Sequence, residues 1–279
     1  MDRKEGNFHP WQWPGLWSVN LPLLAVLWQA LWTRLFFLPA GFYQLSMTAA
    51  AVWLFVSAER MLAAGALPGN GTAPWREWSP EARSWLRIWL LTAVSLALVL
   101  LVRAGWREAG AMWILLSVSG FYLVAKWHFP TAVNLWLPIE GILPVLLTVA
   151  IVLPLLPQVP LLPEPFLPIA MLTGLLFGYH LFLVAAWSRR EQPKDSAGGE
   201  ALGDTVFRGF APMVILGGSL ILLLLLRGRL DVLLIAMAAG AVLLAALDYW
   251  SRALSPAQSR LLADLALLSP LVPLTVGAV

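Results

Sequence analysis

The chain has 279 residues, 60% of them hydrophobic and 12% charged, with a mean hydropathy of +0.78. A soluble domain carries roughly 25% charged residues, so the composition predicts a polytopic membrane protein. The formal charge of +3 makes no case for nucleic acid, the absence of cysteine excludes disulfides, thiolate metal sites and cysteine nucleophiles, and three histidines argue against a His-rich metal or haem site.

The N-terminal stretch, MDRKEGNFHPWQWPGLW, is charged but has no apolar core of a leader, so no cleaved signal peptide is expected. Its Trp11, Trp13 and Trp17 suit an interfacial belt ahead of the first span. A bilayer core requires about 20 apolar residues per helix. Nine stretches qualify, near 18–38, 43–65, 84–103, 110–127, 136–156, 166–187, 209–226, 230–250 and 261–278. The expected fold is therefore all-α: one transmembrane domain over residues 1–279, with about nine helices around a central cavity. The second span, VWLFVSAERMLAAG, ends in an adjacent acid and base, Glu59 and Arg60. The fifth contains Pro144 and Pro154, which predict a kink or an early end. The connector QVPLLPEPFLP is Pro-dense and reads as extended.

Two polar loops, 66–83 and 188–207, are far longer than the others. With nine spans, thirteen of the 18 Lys and Arg fall on the N-terminal side. The other five (Arg34, Arg103, Arg107, Arg227 and Arg229) fall on the opposite side. The positive-inside rule then places the N-terminus and both long loops in the cytoplasm.

The acids near span ends are Glu59, Glu140, Asp248 and Asp264, all at the predicted cytoplasmic side. His180 lies seven residues before Trp187, about 10 Å deeper at 1.5 Å per residue. This layout suits a cavity open to the cytoplasm, and equally the ordinary placement of polar residues at span ends. Arg260 and Asp264 share a helix face at i, i+4 and are expected to pair. Tyr179 and His180 suit either a cavity lining or hydrogen bonds between helices. Glu191 and Asp195, also four apart, would face one way on a helix and share a divalent cation, although Pro193 opposes a regular helix. Arg189, Arg190 and Lys194 beside them would attract phosphate, and they also satisfy the positive-inside pattern. No P-loop, GxGxxG, HExxH or GxSxG is present.

Nine spans with long cytoplasmic loops after the second and sixth resemble the UbiA superfamily of intramembrane prenyltransferases. SAERMLA stands where that family carries its first aspartate-rich motif, and SRREQPKD stands near its second. LWLPIEG resembles an L-P-K-E segment leading into span five, and SRLLADLALLSPL resembles the start of the last span. The resemblance implies a bacterial cytoplasmic-membrane protein that transfers a prenyl group from an isoprenoid diphosphate to an apolar or aromatic acceptor. It implies Mg²⁺ on Glu59, Glu191 and Asp195, catalytic roles for Glu59, Arg60 and His180, and substrate contacts from Arg189, Arg190, Lys194, Tyr179 and Arg260. The chain departs from the pattern at Ala63, where the acid four residues after Glu59 is expected. A non-catalytic UbiA-like subunit that binds lipid or pigment within a membrane complex is the alternative. A transporter is the third reading, opposed by acids at span ends rather than at the midplane.

Overall fold

The computed structural model describes residues 19–38, 41–63, 80–103, 106–129, 132–133, 138–158, 165–189, 202–226, 231–251, 253–269 and 271. Their regular structure is helical. The helices are α1 (Asn20–Leu35), α2 (Phe42–Ala63), α3 (Pro80–Arg103), α4 (Trp106–His128), α5 (Ile139–Val152, followed by a 3₁₀ stretch, Leu153–Gln158), α6 (Phe166–Arg189), α7 (Leu202–Leu226), α8 (Asp231–Trp250) and α9 (Pro256–Ala266).

Six segments among the described residues are long and apolar enough to cross a membrane: Phe42–Leu62, Gly110–His128, Ile139–Pro157, Phe166–Trp187, Val206–Leu226 and Asp231–Trp250. The chain is thus an all-helical protein with the composition of a polytopic membrane protein. Large apolar side chains point outward on α4 (Ile114, Phe121) and α7 (Phe210, Leu224), as faces turned to hydrocarbon do. α6 buries 56% of its span against protein and α7 only 22%, which makes α6 a central helix and α7 a peripheral one.

The boundaries differ from the sequence expectation in three places. The last span, expected over 261–278, begins instead as α9 at Pro256. Ser255 accepts from the Gln258 backbone N–H, and the Gln258 side chain accepts from the Ser255 N–H. This capping box, with Pro at the first turn, sets the start. α9 is 11 residues long and gives way to turns after Ala266, and residues 272–279 lie outside the described residues. The expected loop 66–83 loses its end to α3, which begins at Pro80. The loop 188–207 gives Ser188 and Arg189 to α6, and its last six residues to α7.

α5 carries Pro144 within its length. Thr148 Oγ1 donates to the Pro144 carbonyl at 2.8 Å, one turn back. The α-helix ends at Val152, before Pro154, and continues as 3₁₀, the early end expected from a proline that removes a donor.

α6 packs closely on α5 through GLLFG, residues 174–178. A Cβ on Gly174 would lie 3.0 Å from Thr148 Oγ1, and one on Gly178 would lie 3.7 Å from Pro144 Cβ. Small residues four apart let two helix backbones approach, the usual substitute in lipid for a hydrophobic driving force. On the opposite flank, Trp28 of α1 meets Phe177 edge-on at 5.8 Å, and Trp32 meets Phe166 at 5.0 Å. Trp28 Nε1 also donates to the Leu267 carbonyl at 3.1 Å, which ties α1 to the chain just after α9.

Candidate functional site

Contacts between helices that involve charged side chains gather at one end of the bundle. They involve the C-terminal ends of α2, α4, α6 and α8 and the N-terminal ends of α1, α5, α7 and α9, as antiparallel alternation requires.

Glu59, near the end of α2, accepts from Lys126 Nζ of α4 at 2.5 Å. Both side chains are largely covered, Lys126 at 10% and Glu59 at 15% exposure. Lys126 also lies 5.9 Å from the Tyr122 ring centroid, one turn back on the same helix. The Tyr122 hydroxyl lies within the electrostatic reach of both Glu59 and Glu140, so the start of α5 joins this group. An isolated charge at this depth would be expensive, and the cation on Glu59 offsets that cost.

Arg60, the next residue, turns an exposed side chain toward a second group. It lies within the electrostatic reach of Glu59, Asp264 and Arg260. The two oxygens of the Asp264 carboxylate bind different helices. Oδ2 accepts from Asn20 Nδ2 of α1 at 2.5 Å, and Oδ1 contacts His180 Nε2 of α6 at 3.0 Å. His180 is 2% exposed and Asp264 23%. The carboxylate thus clasps α1 and α6 to α9.

A third group surrounds Asp248 near the end of α8, which accepts from Trp187 Nε1 of α6 at 3.0 Å. The fully buried Tyr179 hydroxyl lies within the electrostatic reach of Asp248 and Arg208. Because Glu59 and Arg60 are adjacent, and Tyr179 and His180 are adjacent, the three groups form one belt across the bundle.

Glu59, Arg60, Tyr179, His180, Arg260 and the acids Glu140, Asp248 and Asp264 thus share one end. Arg190, Glu191, Lys194 and Asp195 lie outside the described residues, as does the Arg189 side chain. Lys126, Asn20 and Trp187 are site residues that the sequence reading passed over. Asn20 carried a usable signal, being a lone amide at the first turn of an apolar helix. Lys126 carried only a side assignment, because its partner is 67 positions away in sequence.

Mg²⁺ takes several hard oxygen ligands in near-octahedral array. Among the described residues no three His, Asp or Glu side chains gather closely enough to hold a metal ion. Glu59 is the lone carboxylate of its turn, Ala63 follows four residues on, and a lysine ammonium already occupies its Oε1. The described part of the donor set does not fit Mg²⁺.

Next to this belt, an apolar cleft opens between α2, α4 and α5. It is lined by Val52, Phe55, Leu115, Ser119, Leu143 and Leu147, among others. Phe55 lies one turn from Glu59, and Ser119 two turns from Lys126. No family profile, curated protein or solved structure matches the chain.

Proposed function

We propose that the chain is a UbiA-like integral membrane protein that binds an amphiphilic lipid or isoprenoid without Mg²⁺-dependent turnover, as a subunit of a bacterial cytoplasmic-membrane assembly. The reading places the N-terminus in the cytoplasm, by the distribution of Lys and Arg. The observation that carries it is the Glu59–Lys126 ion pair. Glu59 stands where the resemblance puts a metal-binding acid, and a protein cation neutralises it. The belt of charged and polar side chains around that pair suits a polar head.

A second reading, a prenyltransferase acting on an isoprenoid diphosphate, is favoured by the grouping of Glu59, Arg60, Tyr179, His180 and Arg260 at one end. In that reading Glu191 and Asp195 complete the Mg²⁺ ligands, and Arg189, Arg190 and Lys194 hold the diphosphate.

Calorimetry with farnesyl diphosphate separates the two. The binding reading predicts a dissociation constant that stays within about twofold when Mg²⁺ is replaced by EDTA, a difference of less than about 0.5 kcal/mol. Binding that requires Mg²⁺ and vanishes in Glu59→Ala supports the transferase and defeats the first reading.

A further inference from the structure

The hydrogen bonds at Asp264 fix the chemistry of the two side chains that hold it. An ionised carboxylate only accepts. His180 must therefore present its Nε2–H to Asp264 Oδ1, which leaves Nδ1 as a lone-pair acceptor in the neutral ring. Asn20 must present its Nδ2 amide to Oδ2, which leaves its carbonyl Oδ1 as an acceptor. Both leftover acceptors are buried without a hydrogen-bond partner: His180 Nδ1 and Asn20 Oδ1. A buried polar atom left unpaired costs about 1–3 kcal/mol, so such atoms mark places where a group of the right polarity belongs. Here both orphans lack a donor, and both hang from the same carboxylate.

Protonating the ring does not remove the deficit. It would convert Nδ1 into a donor that also lacks a partner, and Asn20 Oδ1 would remain unserved. Arg60 lies within electrostatic reach of Asp264 and of Arg260. The carboxylate is 23% exposed, and His180, in contact with it, is 2% exposed.

We infer that the Asp264–His180–Asn20 cluster is the head-group site for a neutral amphiphile whose head donates a hydrogen bond, a hydroxyl foremost, with His180 Nδ1 as its acceptor. This rests on the lipid-binding reading and sharpens it: the preferred ligand carries an alcohol head rather than a diphosphate. A diphosphate brings only acceptors and matches neither orphan. A prenyl or other long-chain alcohol matches at least one and keeps its chain in the apolar bundle.

The test compares farnesol with its methyl ether, which keeps the chain and the oxygen but cannot donate. Purified full-length protein in detergent is titrated with each, beside His180→Gln. In that variant the amide N–H replaces the Nε2–H toward Asp264, and no acceptor stands at the Nδ1 position. The wild type is expected to bind farnesol about tenfold more tightly than the ether, the scale of one net hydrogen bond. His180→Gln is expected to bind the two about equally. A preference that survives in His180→Gln is steric and overturns the inference. Folding of His180→Gln is checked by denaturant titration, and contact at the ring is read from ¹⁵N-histidine spectra of the wild type, in which only three histidines appear. Farnesol should move the His180 Nδ1 resonance toward the hydrogen-bonded range, and the ether should not. Equal binding of both compounds with an unmoved Nδ1 resonance overturns the head-group assignment and leaves the lipid-binding reading standing. Absence of binding by either compound defeats both.

Discussion

α6 belongs to two different regions within about a dozen residues. From Gly174 to Gly178 it is a seam: two glycines bring it against Thr148 and Pro144 of α5, and Phe177 meets Trp28 on the other flank. From Tyr179 to Trp187 it belongs to the polar belt, holding Asp264 through His180 and Asp248 through Trp187. The seam depends on size, most tightly at Gly174, where even a Cβ would crowd Thr148. The belt depends on charge and hydrogen-bonding direction and joins helices distant in sequence. The contrast teaches where stability and ligand recognition are separable: substitutions at the seam act on folding, whereas those in the belt act on both.

The largest effect should come from the seam. Gly174→Val puts a branched carbon where even a Cβ lies 3.0 Å from Thr148 Oγ1. Overpacking of this kind costs roughly 1–3 kcal/mol, occasionally more, and the Thr148 side chain, held by its hydrogen bond to the Pro144 carbonyl, leaves little room to relax. Denaturant or SDS titration should place this variant as the least stable of the set. Gly218→Ala sharpens the point. Its Cβ would meet the terminal Leu172 Cδ2 at 2.9 Å, a flexible end that can swing away, so the loss should be clearly smaller. Equal losses at the two glycines would show that the tight approach to Thr148 does not govern the seam.

In the belt, Lys126→Met strands the Glu59 carboxylate. Breaking a buried pair costs about 3–5 kcal/mol, and the partial exposure of both side chains lowers the expectation to about 2 kcal/mol. Trp187→Phe keeps an aromatic ring, smaller than the indole, and removes the donor to Asp248. A hydrogen bond to a charged group contributes about 1.5–3 kcal/mol, so a loss of about 1.5 kcal/mol is expected by the same titration. The smallest effect belongs to Ser255→Ala at the α9 cap, about 1 kcal/mol. Because α9 carries Asp264, this variant should also weaken farnesol binding slightly. Unchanged stability would show that the capping box does not hold α9 in place.

The division between seam and belt also marks what was readable from the sequence. Apolar stretches located the six described helices that are long and apolar enough to cross a bilayer, whose thickness dictates their length. They missed the start of α9, since Ser255 and Gln258 signal through capping chemistry and not through hydropathy. GLLFG is a legible small-residue spacing, but only the partner helix shows that it faces Pro144 and Thr148. In the belt, Glu59 and Asp264 announced themselves as acids in an apolar context. Their partners did not: Lys126 is 67 residues from Glu59, and His180 is 84 from Asp264. Pairings at such distances depend on how the helices are arranged around α6, which no local pattern encodes.

The account turns on whether Glu59 is committed to Lys126. A double-mutant cycle of Glu59→Gln, Lys126→Met and the double variant, read by unfolding free energy in one detergent, measures this directly. Each single substitution leaves one charge without its partner, and the double leaves neither, so the double should be clearly more stable than the sum of the single losses predicts. A coupling of about 2 kcal/mol in favour of the pair is the expected result, within the range for residues in direct contact. Additive losses, with a coupling near zero, would mean that the pair does not hold α2 to α4 and would contradict the commitment of Glu59 to Lys126.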